Sequence, residues 1–290
     1  MKSFLDLATA AARMAGEVLT RHNRQLHVEY KDPGKHNLVS NIDLESEKVI
    51  TGLIKERFPG HQILAEEGGL LQQAPPGSEG LQIISGGLRK MPHVPPREAP
   101  AKPVTSPYKW IIDPLDGTTN YVHGFPFFCV SIGLEYDGAV ILGVVYDPFR
   151  NDLFYASKGT GAFLNGQPIR VSKENELCRS LLVTGFPYDF RENPGQIFTH
   201  FFQFCQASQG VRRTGSAALD LCYLAAGYFD GFWELNLSPW DVAAGSLIVE
   251  EAGGRVSGFN GEALSIYSKN ILASNGQIHS QMADILQKTA

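Results

Sequence analysis

The chain is short of cysteine, with four in 290 residues, and short of charge, with 19% Asp, Glu, Lys and Arg. Cys129, Cys178, Cys205 and Cys222 include no C-x-x-C pair, which argues against zinc ribbons and thioredoxin-like redox chemistry. Cys129 falls in an expected strand and Cys222 in an expected helix, so both read as small buried thiols suited to a reducing cytosol. No Lys/Arg run or stripe is present and the formal net charge is −5, which disfavours nucleic-acid binding by general phosphate neutralisation. No stretch approaches the ~18 apolar residues of a membrane span. Residues 1–20 carry Asp6, Arg13 and Glu17 in place of a continuous apolar signal core. These absences predict a cytoplasmic chain with no membrane partner. What is plentiful is apolar: 43% of the residues, enough for a substantial core. The length suits one large domain or two closely packed halves.

Phe4, Leu5, Ala8, Ala11, Ala12, Ala15, Val18 and Leu19 share one helical face, which predicts an amphipathic helix over 3–21. A loop, Lys31-Asp32-Pro33-Gly34-Lys35, precedes a second helix from Ser40-Asn41 to about Phe58, closed by Pro59-Gly60. Gln62 to Ala65 reads as a short strand ending in Glu66-Glu67-Gly68-Gly69. Residues 71–107 differ from the rest: they hold eight prolines and one short apolar cluster. They read as a surface insertion, either a plain loop or a substrate lid. Asp137-Gly138 predicts a hairpin between strands at 127–136 and 139–146, with further strands at 152–156 and 168–171. From 181 onward, strands at 181–184, 231–234 and 271–274 alternate with helices at 195–208, 215–226, 239–252 and the C-terminus. An α+β half, 1–180, followed by an α/β half, 181–290, predicts a layered α/β sandwich.

The most informative segment is Trp110-Ile111-Ile112-Asp113-Pro114-Leu115-Asp116-Gly117-Thr118-Thr119-Asn120. An apolar strand delivers two carboxylates and then breaks into glycine and threonines. Carboxylates suit Mg²⁺, which prefers oxygen and keeps substrate phosphate in its shell. Backbone N–H groups at a helix start suit the phosphate. Pro114 biases Asp113 toward an extended conformation, so both carboxylates can leave one strand end, with the Leu115 carbonyl beside them. Taken alone, Asp-Pro and Asp-Gly are also ordinary turn dipeptides.

Other acidic residues are ambiguous individually. Glu66-Glu67 is a solvated loop or a pair that a cation relieves. Asp241, in Ser238-Pro239-Trp240-Asp241, sits at N3 of a helix capped by Ser238, which by itself explains an acid there. It is equally a rigid way to hold a carboxylate toward a metal. Asp43, in Ser40-Asn41-Ile42-Asp43, is a capping residue or a group that orients water. Gly215 and Ala217 admit either a ligand or close helix packing. Glu234 faces a cleft or solvent. His123 has no partner at metal-ligand spacing, and no nucleophile elbow is present.

With these residues assembled, the chain resembles the inositol monophosphatase family, within the lithium-sensitive, Mg²⁺-dependent phosphatases. The resemblance rests on Ala65-Glu66-Glu67, on the run from Trp110 to Pro126, and on Trp240-Asp241-Val242-Ala243-Ala244-Gly245. It covers the chain apart from 71–107. It implies an αβαβα sandwich of the sugar-phosphatase type. It implies two or three Mg²⁺ ions held by Glu66, Asp113, the Leu115 carbonyl, Asp116 and Asp241, with Asp113 bridging. It further implies phosphate binding by the Gly117 and Thr118 N–H groups, a water oriented by Thr118 with Asp43, and substrate contacts at Gly215, Ala217 and Glu234. Lys31 matches a basic loop residue near the metals, with Lys35 in competition. The implied reaction is hydrolysis of a small polyol phosphate, myo-inositol 1-phosphate first, by a metal-activated water without a phospho-enzyme. Fructose 1,6-bisphosphate, histidinol phosphate and nucleotide phosphates (NADP or 3′-phosphoadenosine phosphates) are the alternative substrates. A partner-binding regulatory role is the alternative function, since some bacterial relatives associate with transcription machinery. Lithium inhibition and a homodimer are expected from the resemblance alone. Ser238 departs from the longer polar or basic side chain that relatives often carry there.

Overall fold

The computed structural model describes residues 1–21, 26–31, 38–71, 106–188, 190–191 and 194–288. Lys35 and the insertion, from 72 to 105, lie outside the described residues. In chain order the elements are α1 (Lys2–Thr20), β1 (Val28–Tyr30), β2 (Leu38–Ser40), α2 (Asn41–Arg57), β3 (Gln62–Ala65), β4 (Gly69–Leu71), β5 (Tyr108–Asp116), α3 (Thr118–Val122), β6 (Cys129–Tyr136), β7 (Ala139–Asp147), β8 (Asp152–Ser157), β9 (Ala162–Leu164) and β10 (Gln167–Pro168). They continue as β11 (Leu181–Thr184), α4 (Gly195–Ala207), β12 (Gly210–Arg212), α5 (Ala217–Ala225), β13 (Gly231–Leu235), α6 (Pro239–Glu251), β14 (Arg255–Ser257), β15 (Asn270–Ser274) and α7 (His279–Gln287).

An eight-stranded sheet runs β10-β9-β8-β7-β6-β5-β3-β4, and a five-stranded sheet runs β12-β11-β13-β15-β14. Helices α1 and α2 cover one face of the large sheet, and α5 and α6 lie between the two sheets. Helices α4 and α7 cover the outer face of the small sheet. The result is the αβαβα sandwich expected from the resemblance. Three apolar clusters fill the spaces between layers: α1 and α2 on the large sheet, α5 and α6 between the sheets, and α4 and α7 on the small sheet.

The stripe of α1 buries Ala8, Ala11, Ala12, Ala15, Gly16, Val18 and Leu19. Its small residues let the helix axis approach the sheet; a Cβ on Gly16 would lie 2.5 Å from the Tyr146 ring. Helix α2 begins in a capping box: the Ser40 N–H donates to Asp43 Oδ2 at 2.9 Å and the Ile42 N–H donates to Ser40 Oγ at 3.2 Å.

The centre of the architecture is β5. Trp110 and Ile112 pack in the α1–α2 layer, while Ile111 packs in the α5–α6 layer, as the two-residue strand period requires. On a regular strand Asp113 and Asp116 would then face opposite layers. The register shows otherwise: Asp113 pairs with Ser131 and Asp116 with Cys129, so β5 uses three steps where β6 uses two. The extra residue is a β-bulge at Pro114-Leu115. Leu115 turns into the α1–α2 layer, and both carboxylates emerge on the other side.

Two expectations change. The strand expected at 168–171 stops at Pro168. Proline has no N–H to continue the ladder, and the Val171 N–H donates instead to Ala252 O at the end of α6, at 3.2 Å. The helix expected from Gly215 starts at Ala217, because Gly215 is left-handed (φ +91) and Ser216 is the N-cap, accepting from the Leu219 N–H. The short strands β4, β9, β12 and β14 carry too little alternation to be read from sequence.

Candidate active site

The bulge, the α3 turn and the N-termini of α5 and α6 enclose a cleft of about 240 Å³. Glu66, Asp113, Leu115, Asp116, Gly117, Thr118, Gly215, Ala217, Glu234 and Asp241 all line it. Asp43 is fully buried directly behind it. Lys31 stands at the Glu66 edge. The structure therefore brings all the candidate residues together, from segments spread over most of the chain.

Each acid is held by local structure. Asp113 Oδ1 accepts the Leu115 N–H at 3.0 Å inside the bulge. Asp116 Oδ2 accepts the Ser216 hydroxyl at 2.7 Å and the Ala218 N–H at 2.8 Å, both from the start of α5. Asp241 is N3 of α6, and its Oδ2 accepts the Ser238 N–H at 2.6 Å. The capping reading and the site reading thus coexist in one side chain. Glu66 follows β3, and its own N–H donates to Ile112 O at 3.2 Å.

Burial works against these charges, and their proximity adds to it. Burial, then the charges of Glu66, Asp116 and Asp241, raise Asp113 well above the usual carboxylate range. Burial pushes Asp116 up to about 6 even though Ser216 and Ala218 donate to it. Asp241 is raised by burial and by Asp116, and Glu66 by burial, partly offset by Lys31. Lys31 Nζ donates to Glu66 Oε1 at 2.9 Å and to Glu67 Oε1 at 2.5 Å. Burial opposes its charge, but the two carboxylates outweigh this and raise its pKa.

The donor set fits a hard divalent cation. The cleft offers carboxylate, hydroxyl and carbonyl oxygens, and no His or Cys is among its described lining residues; oxygen is what Mg²⁺ prefers. Among the described residues no three His, Cys, Asp or Glu side chains close into a ligand group by themselves. Mg²⁺ needs no such cage, since one or two carboxylates with water and substrate phosphate complete its shell. Several close, desolvated carboxylates with few neighbouring cations are an unfavourable arrangement that such an ion relieves.

Thr118 Oγ1 lies 3.1 Å from both Asp43 Oδ1 and Leu115 O. One hydroxyl proton serves one acceptor at a time. Asp43 is fixed by the Ser40 N–H and hydroxyl, and burial raises its pKa. Gly117 takes φ +96, a conformation that favours glycine. A Cβ there would meet Phe127 O at 2.9 Å.

Several site residues escaped sequence reasoning. Ser46 donates to Pro114 O at 2.8 Å, and Glu47 Oε2 accepts the Glu67 and Gly68 N–H groups. With Asp43 they form a buried polar stripe on α2, at helical spacing, that braces both the β5 bulge and the acidic loop after β3. Polar residues at 43, 46 and 47 on the face expected to be apolar were the available signal. Arg213, Asp220 and Tyr188 also line the cleft, and no local pattern singles them out.

This acidic, threonine-bearing cleft on a sugar-phosphatase sandwich defines a phosphatase. The family model described as "Inositol monophosphatase family" matches residues 1–289, and the chain belongs to that family. It is 40% identical over 290 residues to an inositol-1-monophosphatase of Synechocystis, covering all of this chain and 90% of that one. It is 38% identical over 279 residues to the Nus factor SuhB of Escherichia coli K12, covering 96% and 93% respectively. The inositol monophosphatase structure from Anabaena superposes with a TM-score of 0.81 at 42% identity, covering all of this chain and 97% of that one.

Proposed function

We propose that the chain is a Mg²⁺-dependent phosphomonoesterase of small polyol phosphates, with myo-inositol 1-phosphate as the first substrate to test. The observation that carries the reading is the β5 bulge, which sends Asp113 and Asp116 into the same cleft as the Gly117–Thr118 turn and the Glu234 wall. The chain's own groups divide the work. Glu66, Asp113, the Leu115 carbonyl, Asp116 and Asp241 hold two or three cations. Bound there, Mg²⁺ supplies charge to clamp the phosphate and to activate water. The Gly117 and Thr118 N–H groups bind phosphate oxygens. Asp43 accepts a hydrogen bond from the Thr118 hydroxyl, which leaves the Thr118 oxygen lone pairs free to accept from, and so aim, the attacking water. Glu234 is 7% exposed and offers a carboxylate to substrate hydroxyls, while Gly215 and Ala217 leave room for a ring.

The test is phosphate release from inositol, fructose, histidinol and adenosine phosphates with Mg²⁺, with and without Li⁺. Turnover of inositol 1-phosphate that is Mg²⁺-dependent and Li⁺-sensitive is expected; Mg²⁺-independent turnover overturns the reading. We further infer a homodimer, supported by the exposed Phe198 (46%) and Phe202 (62%) on α4; a monomeric mass by sedimentation refutes it. A second reading, as a Nus factor, is favoured by the near full-length likeness to the E. coli protein of that name. It is separable, because an Asp113→Asn variant should lose hydrolysis and keep any partner binding. All four cysteines are free, which supports action in a reducing cytosol.

A further inference from the structure

The phosphate loop and the sugar-side wall come from distant segments, joined on one side by Asp116, which accepts from Ser216 and Ala218, and on the other by Asn120. Asn120, in α3 two residues beyond Thr118, donates from Nδ2 to Phe127 O at 2.8 Å and to Thr214 O at 2.9 Å. The second bond crosses 94 residues of sequence. Thr214 is held in turn from the other side, where its hydroxyl donates to Asp220 Oδ1. Asp220 is 1% exposed and is fixed on the first turn of α5. Gly215 is the residue that lets this happen. It is left-handed, and a Cβ on it would sit 3.0 Å from Asn120 Nδ2. Behind the same contact, the Gly117 Cα faces Gly215 O, with a Cβ there only 3.3 Å away.

We propose that Asn120, Thr214 and Asp220 form a polar staple that sets the spacing between the phosphate subsite at Gly117–Thr118 and the hydroxyl-binding wall at Gly215, Ala217 and Glu234. These are positioning residues, and the inference rests on the phosphatase reading above. A substrate held at both subsites needs that spacing; a phosphate ester without hydroxyls needs only one of them. The bonds are short and involve buried or half-buried partners; Asp116 holds only the Ser216–Ala218 side of the wall, so their loss lets the α3 end of the phosphate loop move relative to Thr214 and Gly215. A misplacement of about 1 Å in such a site costs on the order of 100-fold.

Asn120→Leu removes both N–H donors at nearly constant shape and adds no charge to the cleft. Its kcat/KM for inositol 1-phosphate should fall by about 10- to 100-fold, mainly through KM. The same variant should stay within about 3-fold of wild type on p-nitrophenyl phosphate, allowing for the minor rearrangement of α3. Asp220→Asn keeps an acceptor for Thr214 and should retain the wild-type ratio between the two substrates. Asp220→Ala and Thr214→Val should both shift that ratio toward p-nitrophenyl phosphate. Equal losses on both substrates, or an unchanged ratio in Asn120→Leu, overturn the staple. Should a variant fold poorly, hydrogen exchange of 213–217 in Thr214→Val decides, with faster exchange expected and unchanged exchange refuting. If wild type releases phosphate from neither ester with Mg²⁺, the phosphatase reading fails, an outcome distinct from a failed ratio.

Discussion

Gly143→Ala tests the packing that places Asp241. Gly143 in β7 pairs with Gly133 in β6, and the two glycines open a shallow trough on the large sheet in which α6 lies. A Cβ on Gly143 would stand 2.6 Å from Ala244 O and 2.9 Å from Ala244 Cα. Ordinary contact begins at 3.4 Å, so α6 must retreat by about 0.8 Å, the difference between 3.4 and 2.6. The obstacle is helix backbone, and α6 is buried from Val242 to Val249, so little relief is available from side-chain rotation. Overpacking of this kind costs about 1–3 kcal/mol, and a rigid neighbour places this case near the top of that range. For a chain of this size that lowers Tm by roughly 4–6 °C. The same displacement acts on Asp241, one turn upstream on α6, where a tolerance of about 0.5 Å is all a site allows. A fall in kcat of about 10- to 100-fold is therefore expected. Urea midpoints and phosphate release measure the two effects. The control is Gly52→Ala: Gly52 is an exposed residue of α2 with nothing within 4 Å of a Cβ, and it should gain about 0.5–1 kcal/mol. A Gly143→Ala protein with wild-type stability and turnover would refute the reasoning, because the close approach of helix to sheet would then be irrelevant.

Three further outcomes follow from the site and its surroundings. Lys31→Met removes a positive charge 2.9 Å from Glu66 Oε1 and should tighten Mg²⁺ binding by about 3- to 10-fold, read as a larger Mg²⁺-dependent rise in Tm; weaker binding would mean that Lys31 organises Glu66 for the ion. Asp43→Asn exchanges one carboxylate oxygen for an NH2 donor, so Thr118 and the Ser40 N–H can no longer both be accepted; it should lower kcat by about 100-fold and stability by about 1 kcal/mol, checked by single-turnover rates and urea titration. His279 is 1% exposed between the Ser257 and Ser274 hydroxyls, and burial, with the Arg255 charge, lowers its pKa to about 4. Because the neutral ring is the favoured form in the fold, its contribution is complete above the unfolded value of about 6.5. It is lost as pH falls toward 4, by on the order of 2 kcal/mol after allowance for solvent screening. His279→Gln should flatten stability across that window, and an unchanged pH slope would count against it.

Much of this was legible in the sequence, for identifiable reasons. The helices α1, α2, α4 and α6 announce themselves by periodicity and caps, and the Asp-Pro-Leu-Asp-Gly-Thr-Thr run declares its chemistry because unlike functions sit side by side. Asp241 was legible only as a capping residue that could also be a ligand, and the structure places that one side chain both at the cap and in the cleft. What stayed hidden depends on contacts between distant segments. Nothing near Asn120 points to Thr214, and nothing near Lys31 points to Glu66. The stripe of Asp43, Ser46 and Glu47 was visible as a pattern, but its meaning required knowing that the bulge in β5 lies against it. Three-residue strands such as β12 and β14 exist because a neighbouring strand offers an open edge, not because their own residues demand it.

The bulge at Pro114-Leu115 makes segment length itself a determinant of chemistry. Strand residues alternate between two layers, so the destination of a side chain is a matter of parity. Without the bulge, the same three-residue spacing would deliver Asp116 among the apolar side chains of α1 and α2, where no partner waits for it. With one residue fewer between the two acids, the strand would run regularly and keep both on one side, but the bulge and its inward Leu115 would be gone. Between these two acids a change of residue type can be absorbed by neighbours, whereas a change of count remakes the backbone: it decides whether the bulge exists at all.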